Sequence, residues 1–245
     1  MIAATMANIN PQFSGAFDLT ADGEHGHSRP VSSNQPGTHK NLSSVVRRHL
    51  DSRYLAPIAP HNRNAFKHLQ AELRHRNRPL IIDAFCGSGH STSALAQRHP
   101  EHLVVGLDQS ASRLSRQPCD NPENCLLLRC QSEAIWQQLA DSNITADYQY
   151  LLYPNPWPKS RHLRRRVHAH PAFPLLLAVG GQITVRSNWP IYVEEFAAAM
   201  KIAGRQGTIS ALTEDNAPLT LFERKYQSSG HRLWEYQSTV HRDEH

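Results

Sequence analysis

Short apolar runs alternate with amphipathic stretches along most of the chain after residue 62. Runs that are apolar throughout are typical of strands buried on both faces of a parallel sheet, whereas apolar residues at every third or fourth position are typical of helices. The pattern predicts strands at residues 79–85, 102–107, 125–129, 148–153, 182–186, 208–212 and 232–240. It predicts helices at residues 41–55, 62–76, 91–98, 110–115, 133–139, 173–178 and 190–203.

This alternation predicts an α/β fold, in which helices cover both faces of a mostly parallel seven-stranded sheet. The last two strands are expected to form an antiparallel hairpin at its edge. A domain is predicted over residues 41–245, and its first helix carries Arg47, Arg48 and Arg53. This basic helix either packs on the domain or brings positive charge to a substrate. Residues 1–40 are rich in Ser, Asn, Gly, Pro and His, which predicts a disordered or loosely ordered tail.

Net charge, the length of the apolar runs and the spacing of the cysteines limit the kinds of partner and location that the protein can have. The 245 residues carry a formal net charge of +5 and include 16 histidines, a balance that favours a polyanionic partner. The apolar runs are too short to cross a membrane, and the N-terminus has no basic-then-apolar secretion signal. The four cysteines form no Cys-x-x-Cys pair, so we expect reduced thiols in a cytoplasmic protein. We expect a monomer or a homodimer without a membrane partner.

A proline-stiffened loop follows the fourth predicted strand. Its three prolines cannot donate to a sheet, and each pushes the preceding residue out of the helical region. They hold the amide of Asn155 and the indole of Trp157 in fixed places. The basic residues that come next are Lys159, Arg161, His162, Arg164, Arg165 and Arg166. This combination suits the binding of a flat base attached to a phosphate backbone. The same residues also fit the alternative of a proline-rich turn before a solvated basic helix.

Two acids and a glycine turn lie where the first two predicted strands end. Gly87 and Gly89 permit a tight turn and a close approach of the backbone to a ligand. Asp108 ends the second strand, where a carboxylate can accept from both hydroxyls of a ribose. Asp83, near the end of the first strand, repels phosphates and suits a cationic, amine-bearing ligand. Because Thr92 replaces the third glycine of a dinucleotide fingerprint, the set favours S-adenosylmethionine over NAD.

The end of the third predicted strand offers the next cofactor contact. Around Gln131, Ser132 and Glu133, a polar side chain can bond the amino group of an adenine. Ser132 and Glu133 are therefore predicted cofactor-binding residues. Glu133 also fits the start of the next helix, where the helix dipole favours an acid, and both interpretations stay open.

These motifs together resemble the bacterial tRNA (guanine-N7)-methyltransferases over residues 41–237. They are Asp83-Ala-Phe-Cys-Gly-Ser-Gly, Val-Gly-Leu-Asp108, Pro-Asn-Pro-Trp-Pro-Lys-Ser-Arg-His, Ser187-Asn-Trp and Thr220-Leu-Phe-Glu-Arg-Lys. The resemblance implies a class I Rossmann-like methyltransferase fold, S-adenosylmethionine as donor and a guanine in tRNA as acceptor. Carried over by position, the catalytic residues would be Asn155 and Asn188. The substrate-binding residues would be Trp157, Lys159, Arg161, His162, Arg165, Thr220 and Glu223.

Two amides stand where this family usually has carboxylates, Asn155 in place of the acid of Asp-Pro-Trp and Asn188 in place of that of Thr-Asp. Losing a charged acceptor in a dry site costs on the order of 1–3 kcal/mol, or about 10–100-fold in rate. One alternative is therefore a relative that methylates an exocyclic amine of RNA or a small molecule, since Asn155, Pro156 and Trp157 partly match an Asn-Pro-Pro-Tyr loop. A second alternative is an RNA-binding relative without catalysis.

Other residues have plain structural interpretations. His162, His168 and His170 have Arg and Pro rather than acids or Cys as sequence neighbours, so no metal site is predicted. Trp189 either packs at a helix entry or contacts the substrate. Residues 223–225 fit a solvated charged face as well as a substrate contact.

Overall fold

The computed structural model describes residues 28–29, 31–213 and 217–239 of the chain. Its strands are β1 (Leu80–Ala84), β2 (Leu103–Asp108), β3 (Cys125–Arg129), β4 (Tyr148–Leu152), β5 (Gln182–Ser187), β6 (Gly207–Ala211) and β7 (Trp234–Ser238). Its α-helices are α1 (Leu42–Leu50), α2 (Pro60–Arg76), α3 (His90–Arg98), α4 (Ala111–Leu114), α5 (Ser132–Asp141), α6 (Phe173–Val179), α7 (Pro190–Ile202) and α8 (Leu221–Ser228). Two short 3-10 helices follow the proline-rich loop, at Ser160–Arg165 and Val167–Ala169.

The strands form one sheet in the order β3-β2-β1-β4-β5-β7-β6. Strands β1 to β5 pair in parallel, and β7 pairs antiparallel with both β5 and β6. The predicted mostly parallel sheet with an antiparallel edge is therefore confirmed. Ala84 of β1 lies opposite Leu107 of β2 and Leu151 of β4. The carboxyl ends of β2, β1, β4 and β5 thus lie side by side along one edge of the sheet.

Alternate residues of the central strands face opposite layers of helices. Ile82 and Ala84 of β1 belong to the larger core, which residues of α1, α2, α5, α6 and α7 complete. Ile81 belongs to a smaller core together with Leu95 of α3. All four side chains are buried, with relative exposures of 0–1%. This period of two is what a strand covered on both faces requires, and it confirms the predicted helices on both sides.

The helices differ from the prediction mainly by one added element, α8. The hydroxyl of Thr220 accepts from the backbone N–H of Glu223 at 2.8 Å, and the Glu223 carboxylate accepts from the backbone N–H of Leu219 at 3.0 Å. These reciprocal bonds satisfy the first N–H groups of the helix and so fix where it begins. Within the described ranges, no helix is long and apolar enough to cross a membrane.

The segment before α1 is attached more closely than the sequence predicts. Gln35 is 8% exposed, and its amide nitrogen donates to Glu195 Oε1 at 2.6 Å. The hydroxyl of Ser33 donates to a carbonyl of the proline-rich loop at 2.7 Å. These contacts tie Ser33 and Gln35 to the domain, and the domain boundary at residue 40 stays a prediction. The rest of the predicted tail lies outside the described residues, apart from Ser28 and Arg29.

Candidate active site

Four adjacent strand ends carry the side chains singled out in the sequence. Asp83 lies one residue before the end of β1, and Asp108 ends β2. Asn155 follows β4, and Asn188 comes directly after β5. Because these strands are parallel neighbours, the loops after them face one region. Ligands of open parallel sheets bind outside this edge, which makes it the candidate active site.

Asp83 is fully buried, and one of its carboxylate oxygens has protein partners. Oδ2 accepts from Ser91 Oγ at 2.6 Å and from Thr92 Oγ1 at 2.7 Å. Oδ1 is buried without a hydrogen-bond partner among the described residues. Burial raises the pKa of Asp83 from 3.8 to about 6, the two hydroxyls oppose the rise, and the charge of Asp108 adds to it. A buried acid with one unsatisfied oxygen fits a ligand that brings a cationic amino group.

Asp108 fastens the glycine turn to the end of β2. Its Oδ2 accepts from the backbone N–H of Gly87 at 3.0 Å, and Gly87 has a φ of +64°, which favours glycine. Its Oδ1 accepts from the backbone N–H of Ser110 at 2.7 Å. The guanidinium of Arg113, which the sequence analysis missed, lies 3.1 Å from the same oxygen. A bound ribose would therefore share this carboxylate with a half-exposed arginine.

Two cavities that share Gln109, Gln131 and Glu133 lie at this edge, and Asp108 lines the smaller one. The smaller, of about 60 Å³, is lined by Asp108, Ser132 and Glu133 and by Phe85 of the glycine turn. Ser132 Oγ is buried there without a hydrogen-bond partner among the described residues. The larger cavity, of about 190 Å³, also borders Glu133 and reaches Tyr54, which lies between α1 and α2. The structure thus brings together three of the predicted cofactor residues, and their acids and free hydroxyl fit an adenosine.

The proline-rich loop carries an aromatic cluster beyond β4. Trp157 is partly exposed with a φ of +46°, and its backbone N–H donates to Asn155 Oδ1 at 3.2 Å. The guanidinium carbon of Arg165 lies 4.7 Å from the centroid of the indole, and the ring of His162 meets it edge-on at 5.5 Å. Four of the predicted substrate-side residues therefore lie together, with Asn155 exposed.

Arg166 holds this loop from inside the domain. The prediction that Arg166 belongs with the exposed basic residues is wrong, because its side chain is 0% exposed. Its guanidinium pairs with Glu195, donates to Gln35 Oε1 at 3.1 Å, and donates to the carbonyl of Trp157 from Nε at 3.3 Å and Nη2 at 3.1 Å. It also stacks on the buried ring of Trp189 at 4.8 Å, so Trp189 packs at the helix entry.

The histidines after the loop have separate partners. His168 is fully buried with Nε2 3.1 Å from Glu195, and burial lowers its pKa. Burial opposes ionisation of Glu195, but hydrogen bonds and charge from His168 and Arg166 lower its pKa to about 2. The ring of His170 instead meets Tyr54, with centroids 6.0 Å apart. Glu195 is therefore an ionised counterion for a buried arginine.

Asn188 lies beside an aromatic group at the ends of β4 and β5. Its Nδ2 is 3.3 Å from Nδ1 of His231, and Nε2 of His231 is 2.7 Å from the carbonyl oxygen of Ser28. The His231 ring stacks on Tyr226 of α8 with centroids 5.2 Å apart. Tyr226 in turn meets Tyr153, which follows β4, at 5.5 Å. These contacts join α8 to the same edge of the sheet.

Glu223 and Thr220 occupy structural positions at this edge. Glu223 is 0% exposed, so the interpretation of residues 223–225 as a solvated face is wrong for this residue. Its Oε1 accepts from Nη1 of Arg186 at 2.7 Å, while its Oε2 and the Thr220 hydroxyl cap α8. Burial raises the pKa of Glu223, and Arg186 opposes the rise. Both oxygens of the carboxylate thus have protein partners, which leaves the substrate role of this residue a prediction.

The exposed cations of the loop form a basic surface, which we define as Lys159, Arg161, Arg164 and Arg165. Helix α1 lies next to it. Burial lowers the pKa of His49 in α1, and the charges of Arg48 and Arg164 lower it further. Leu42, Val45 and Val46 of α1 are part of the core. The basic helix therefore both packs on the domain and extends the positive surface.

Comparison with known proteins agrees with this arrangement. The family model Methyltransf_4, described as "Putative methyltransferase", matches residues 77–236. The tRNA (guanine-N(7)-)-methyltransferase of Ectopseudomonas mendocina (strain ymp) is 30% identical over 175 residues, which are 65% of this chain and 72% of that protein. The protein of the same name from Zymomonas mobilis subsp. mobilis is 29% identical over 174 residues, which are 64% of this chain and 73% of that protein.

A solved structure with the same fold is the 16S rRNA methyltransferase KamB. It superposes with a TM-score of 0.52 at 20% sequence identity and covers 77% of this chain and 96% of its own. At this identity the likeness shows the class I methyltransferase fold alone. The likeness confirms the predicted fold class. The family model and the relatives confirm the predicted enzyme class and methyl donor, S-adenosylmethionine. The chain belongs to the tRNA (guanine-N7)-methyltransferase family.

Proposed function

We propose that this enzyme transfers a methyl group from S-adenosylmethionine to N7 of a guanine in tRNA. The observation that carries the proposal is the loop of Asn155 and Trp157, which Arg166 fixes beside the strand ends of Asp83 and Asp108. An aromatic and an amide next to a donor site suit a purine base, and the basic surface suits the phosphates attached to it. The names of the relatives agree with this acceptor.

Acidic and hydroxyl groups of the chain would hold the donor. Asp83 Oδ1, which has no partner among the described residues, would accept from the amino group of the methionine part. Asp108 would accept from the ribose hydroxyls, while Ser132 and Glu133 would bond the adenine. When bound, S-adenosylmethionine would supply an electrophilic methyl group on sulfur. These residues would position it beside the loop that follows β4.

Methylation of guanine N7 depends on positioning the base rather than on removing a proton from it. Guanine N7 already carries a lone pair, so no residue has to remove a proton from it. Trp157 stacks on the base, and Asn155 and Asn188 bond its polar edge with amide groups. The base would become cationic as the N7–methyl bond forms and the sulfur–methyl bond breaks, with the electron pair of that bond left on a neutral thioether sulfur. An amide oxygen stabilises the charge on the base less than a carboxylate does. We therefore assign Asn155 and Asn188 positioning contacts at the reacting base.

Cations outside the base pocket bind the RNA backbone. Lys159, Arg161 and Arg165 are exposed on the basic surface, and Arg47 and Arg48 of α1 are exposed nearby. Each phosphate that they neutralise releases counterions, so binding weakens as salt rises. We further propose that the enzyme acts in the cytoplasm as a monomer or homodimer. We also propose that residues 31–40 belong to its catalytic domain.

The test follows a labelled methyl group into the nucleoside it modifies. The full chain is incubated with an unmodified tRNA transcript and methyl-labelled S-adenosylmethionine, and the RNA is digested to nucleosides. Label in 7-methylguanosine supports the proposal. Label in an N-methylated exocyclic amine would instead support the first alternative. Donor binding without transfer to any tRNA would contradict the proposal and favour an RNA-binding relative or a small-molecule acceptor.

A further inference from the structure

A cluster of metal-ligating side chains lies at the sheet edge opposite the active site. His99, Glu101 and His102 form the turn between α3 and β2. One ligand atom from each lies within 4.8 Å of the other two. β2 starts after this turn and ends at Asp108, so at about 3.3 Å per residue the cluster is roughly 20 Å from the donor site. It belongs to no part of the machinery described above.

The two distances from imidazole nitrogen to carboxylate oxygen in the cluster bracket the spacing of ligand atoms in a tetrahedral metal site. Nδ1 of His102 lies 2.8 Å and Nδ1 of His99 lies 3.9 Å from Oε1 of Glu101. In a tetrahedral site with bonds of about 2.0–2.1 Å, ligand atoms are roughly 3.4 Å apart. Shifts of about half an ångström would therefore bring each imidazole nitrogen to this spacing from the carboxylate oxygen.

His102 lies between two carboxylates. Its Nδ1 faces Glu101, and its other nitrogen, Nε2, lies 3.1 Å from Oδ2 of Asp147. The His102 side chain is only 9% exposed, so the protein rather than solvent sets the direction of the ring. A metal ion at Nδ1 would leave Nε2 directed at Asp147.

This arrangement matches how proteins orient metal-binding histidines. The ring that binds the metal usually donates its second N–H to a carboxylate, which fixes the tautomer and the direction of the ring. Asp147 lies directly before β4 and fills this position.

The turn is also held rigidly before any ion binds. Asn124 is 6% exposed, and its side-chain nitrogen donates to the carbonyl oxygens of Ala96 and His99 at 3.0 Å and of His102 at 2.9 Å. This side chain fixes the backbone that carries all three ligands. Two imidazoles and one carboxylate, with a fourth position for water, form a ligand set that Zn²⁺ prefers.

We propose that His99, Glu101 and His102 bind a divalent transition-metal ion of the Zn²⁺ class, with Asp147 as the carboxylate that orients His102. The site joins the α3–β2 turn to the start of β4 and acts on stability. The sequence-based expectation of no metal weighed only His162, His168 and His170, whereas these ligands lie elsewhere in the chain.

The test titrates the metal-free full chain with Zn²⁺ and with Co²⁺. We expect one equivalent bound and a rise in melting temperature. Visible Co²⁺ bands without a thiolate charge-transfer band would exclude the cysteines as ligands. Glu101→Gln and His99→Ala should weaken binding at least tenfold, and Asp147→Asn about 10–100-fold.

The matched control is His68→Ala on α2, because His68 lies 3.7 Å from Glu72 but has no third ligand at hand among the described residues. It should leave the affinity unchanged. Circular dichroism of each metal-free variant checks that it folds. Absence of one-to-one binding by the wild-type chain would overturn the proposal. Equal loss of binding in Glu101→Gln and His68→Ala would overturn it as well.

Discussion

The buried guanidinium of Arg166 donates from two nitrogens to the backbone carbonyl of Trp157, at 3.3 Å and 3.1 Å. This contact joins the interior of the domain to Trp157, which is partly exposed at the candidate active site. The same guanidinium pairs with the buried Glu195. A surface loop without regular structure is thereby held by an ion pair in the core, which limits the freedom of its aromatic side chain.

Removing this contact is expected to damage both stability and catalysis. Arg166→Gln leaves Glu195 buried without its partner, which should lower the free energy of unfolding by about 3–5 kcal/mol. Methyl transfer to tRNA should fall more than donor affinity, since the donor site lies on other strands. Denaturant unfolding measures the free energy of unfolding. At low temperature, calorimetry measures donor affinity and a labelled-methyl assay measures transfer to tRNA.

The neighbouring Arg165→Gln is the control for this variant. Arg165 is exposed and contacts the face of the Trp157 ring, so its loss should change stability by less than about 0.5 kcal/mol. If the two variants were destabilised equally, the buried network would not be what holds the loop.

Asp83 predicts a pH dependence with a definite sign. Its pKa is raised from 3.8 to about 6, so the folded chain keeps this proton to a higher pH than the unfolded chain does. The stability that the group contributes is therefore present below about pH 4 and is lost as pH rises towards 6. Asp83→Asn should remove this dependence and stabilise the donor-free protein at neutral pH by about 1–3 kcal/mol.

The same substitution should weaken the donor site. The ionised carboxylate attracts the amino group of the donor, so affinity should rise with pH through about 6 in the wild-type chain. Asp83→Asn should lose this rise and bind about tenfold or more weakly, as measured by calorimetry. An Asp83→Asn protein that is more stable yet binds the donor normally would argue against the assigned contact.

Basic side chains of the loop should set the salt dependence of tRNA binding. Lys159→Ala and Arg161→Ala each remove a phosphate contact and should reduce the slope of log affinity against log salt by about 0.7–0.9. Lys67→Ala on α2, also exposed, is the control. Filter binding at several salt concentrations measures the slopes. Equal slopes for all three variants would place the RNA on another surface.

Asn155→Asp tests the charge at the acceptor. Restoring a carboxylate at this position should raise the single-turnover rate at guanine N7 by about 10–100-fold, because it stabilises a base that becomes cationic. Asn64→Asp, an exposed position on α2, controls for the added negative charge. An unchanged or lower rate for Asn155→Asp would argue that the amide serves a different acceptor.

The sequence carried enough information to predict the sheet and the positions of its acids. Buried strands such as residues 79–85 are apolar apart from an acid near the end, and parallel order follows from the helices between them. Asp83 and Asp108 sit at the ends of such runs, so their shared edge could be predicted without long-range contacts. Helix α8 was missed although Thr220 and Glu223 have capping-box spacing, because its remaining residues show no long apolar periodicity.

Burial of the polar network could not be predicted from local pattern. Arg166 lies in a run of basic residues that are otherwise exposed, and its partner Glu195 is 29 residues away. The sequence did indicate that Glu195 is buried, since it shares the apolar face of α7 with Tyr192 and Ala199. An acid on such a face requires a buried cation, but the sequence does not say which arginine provides it. Gln35 joins the network from a segment with no pattern at all.

A structure of the chain with S-adenosylhomocysteine would show whether the donor and acceptor groups share one site. We expect the ribose hydroxyls at Asp108, the amino group within hydrogen-bond distance of Asp83 Oδ1, and the sulfur facing the loop of Asn155 and Trp157. A ligand bound away from Asp108, or one whose sulfur points away from the end of β4, would contradict it.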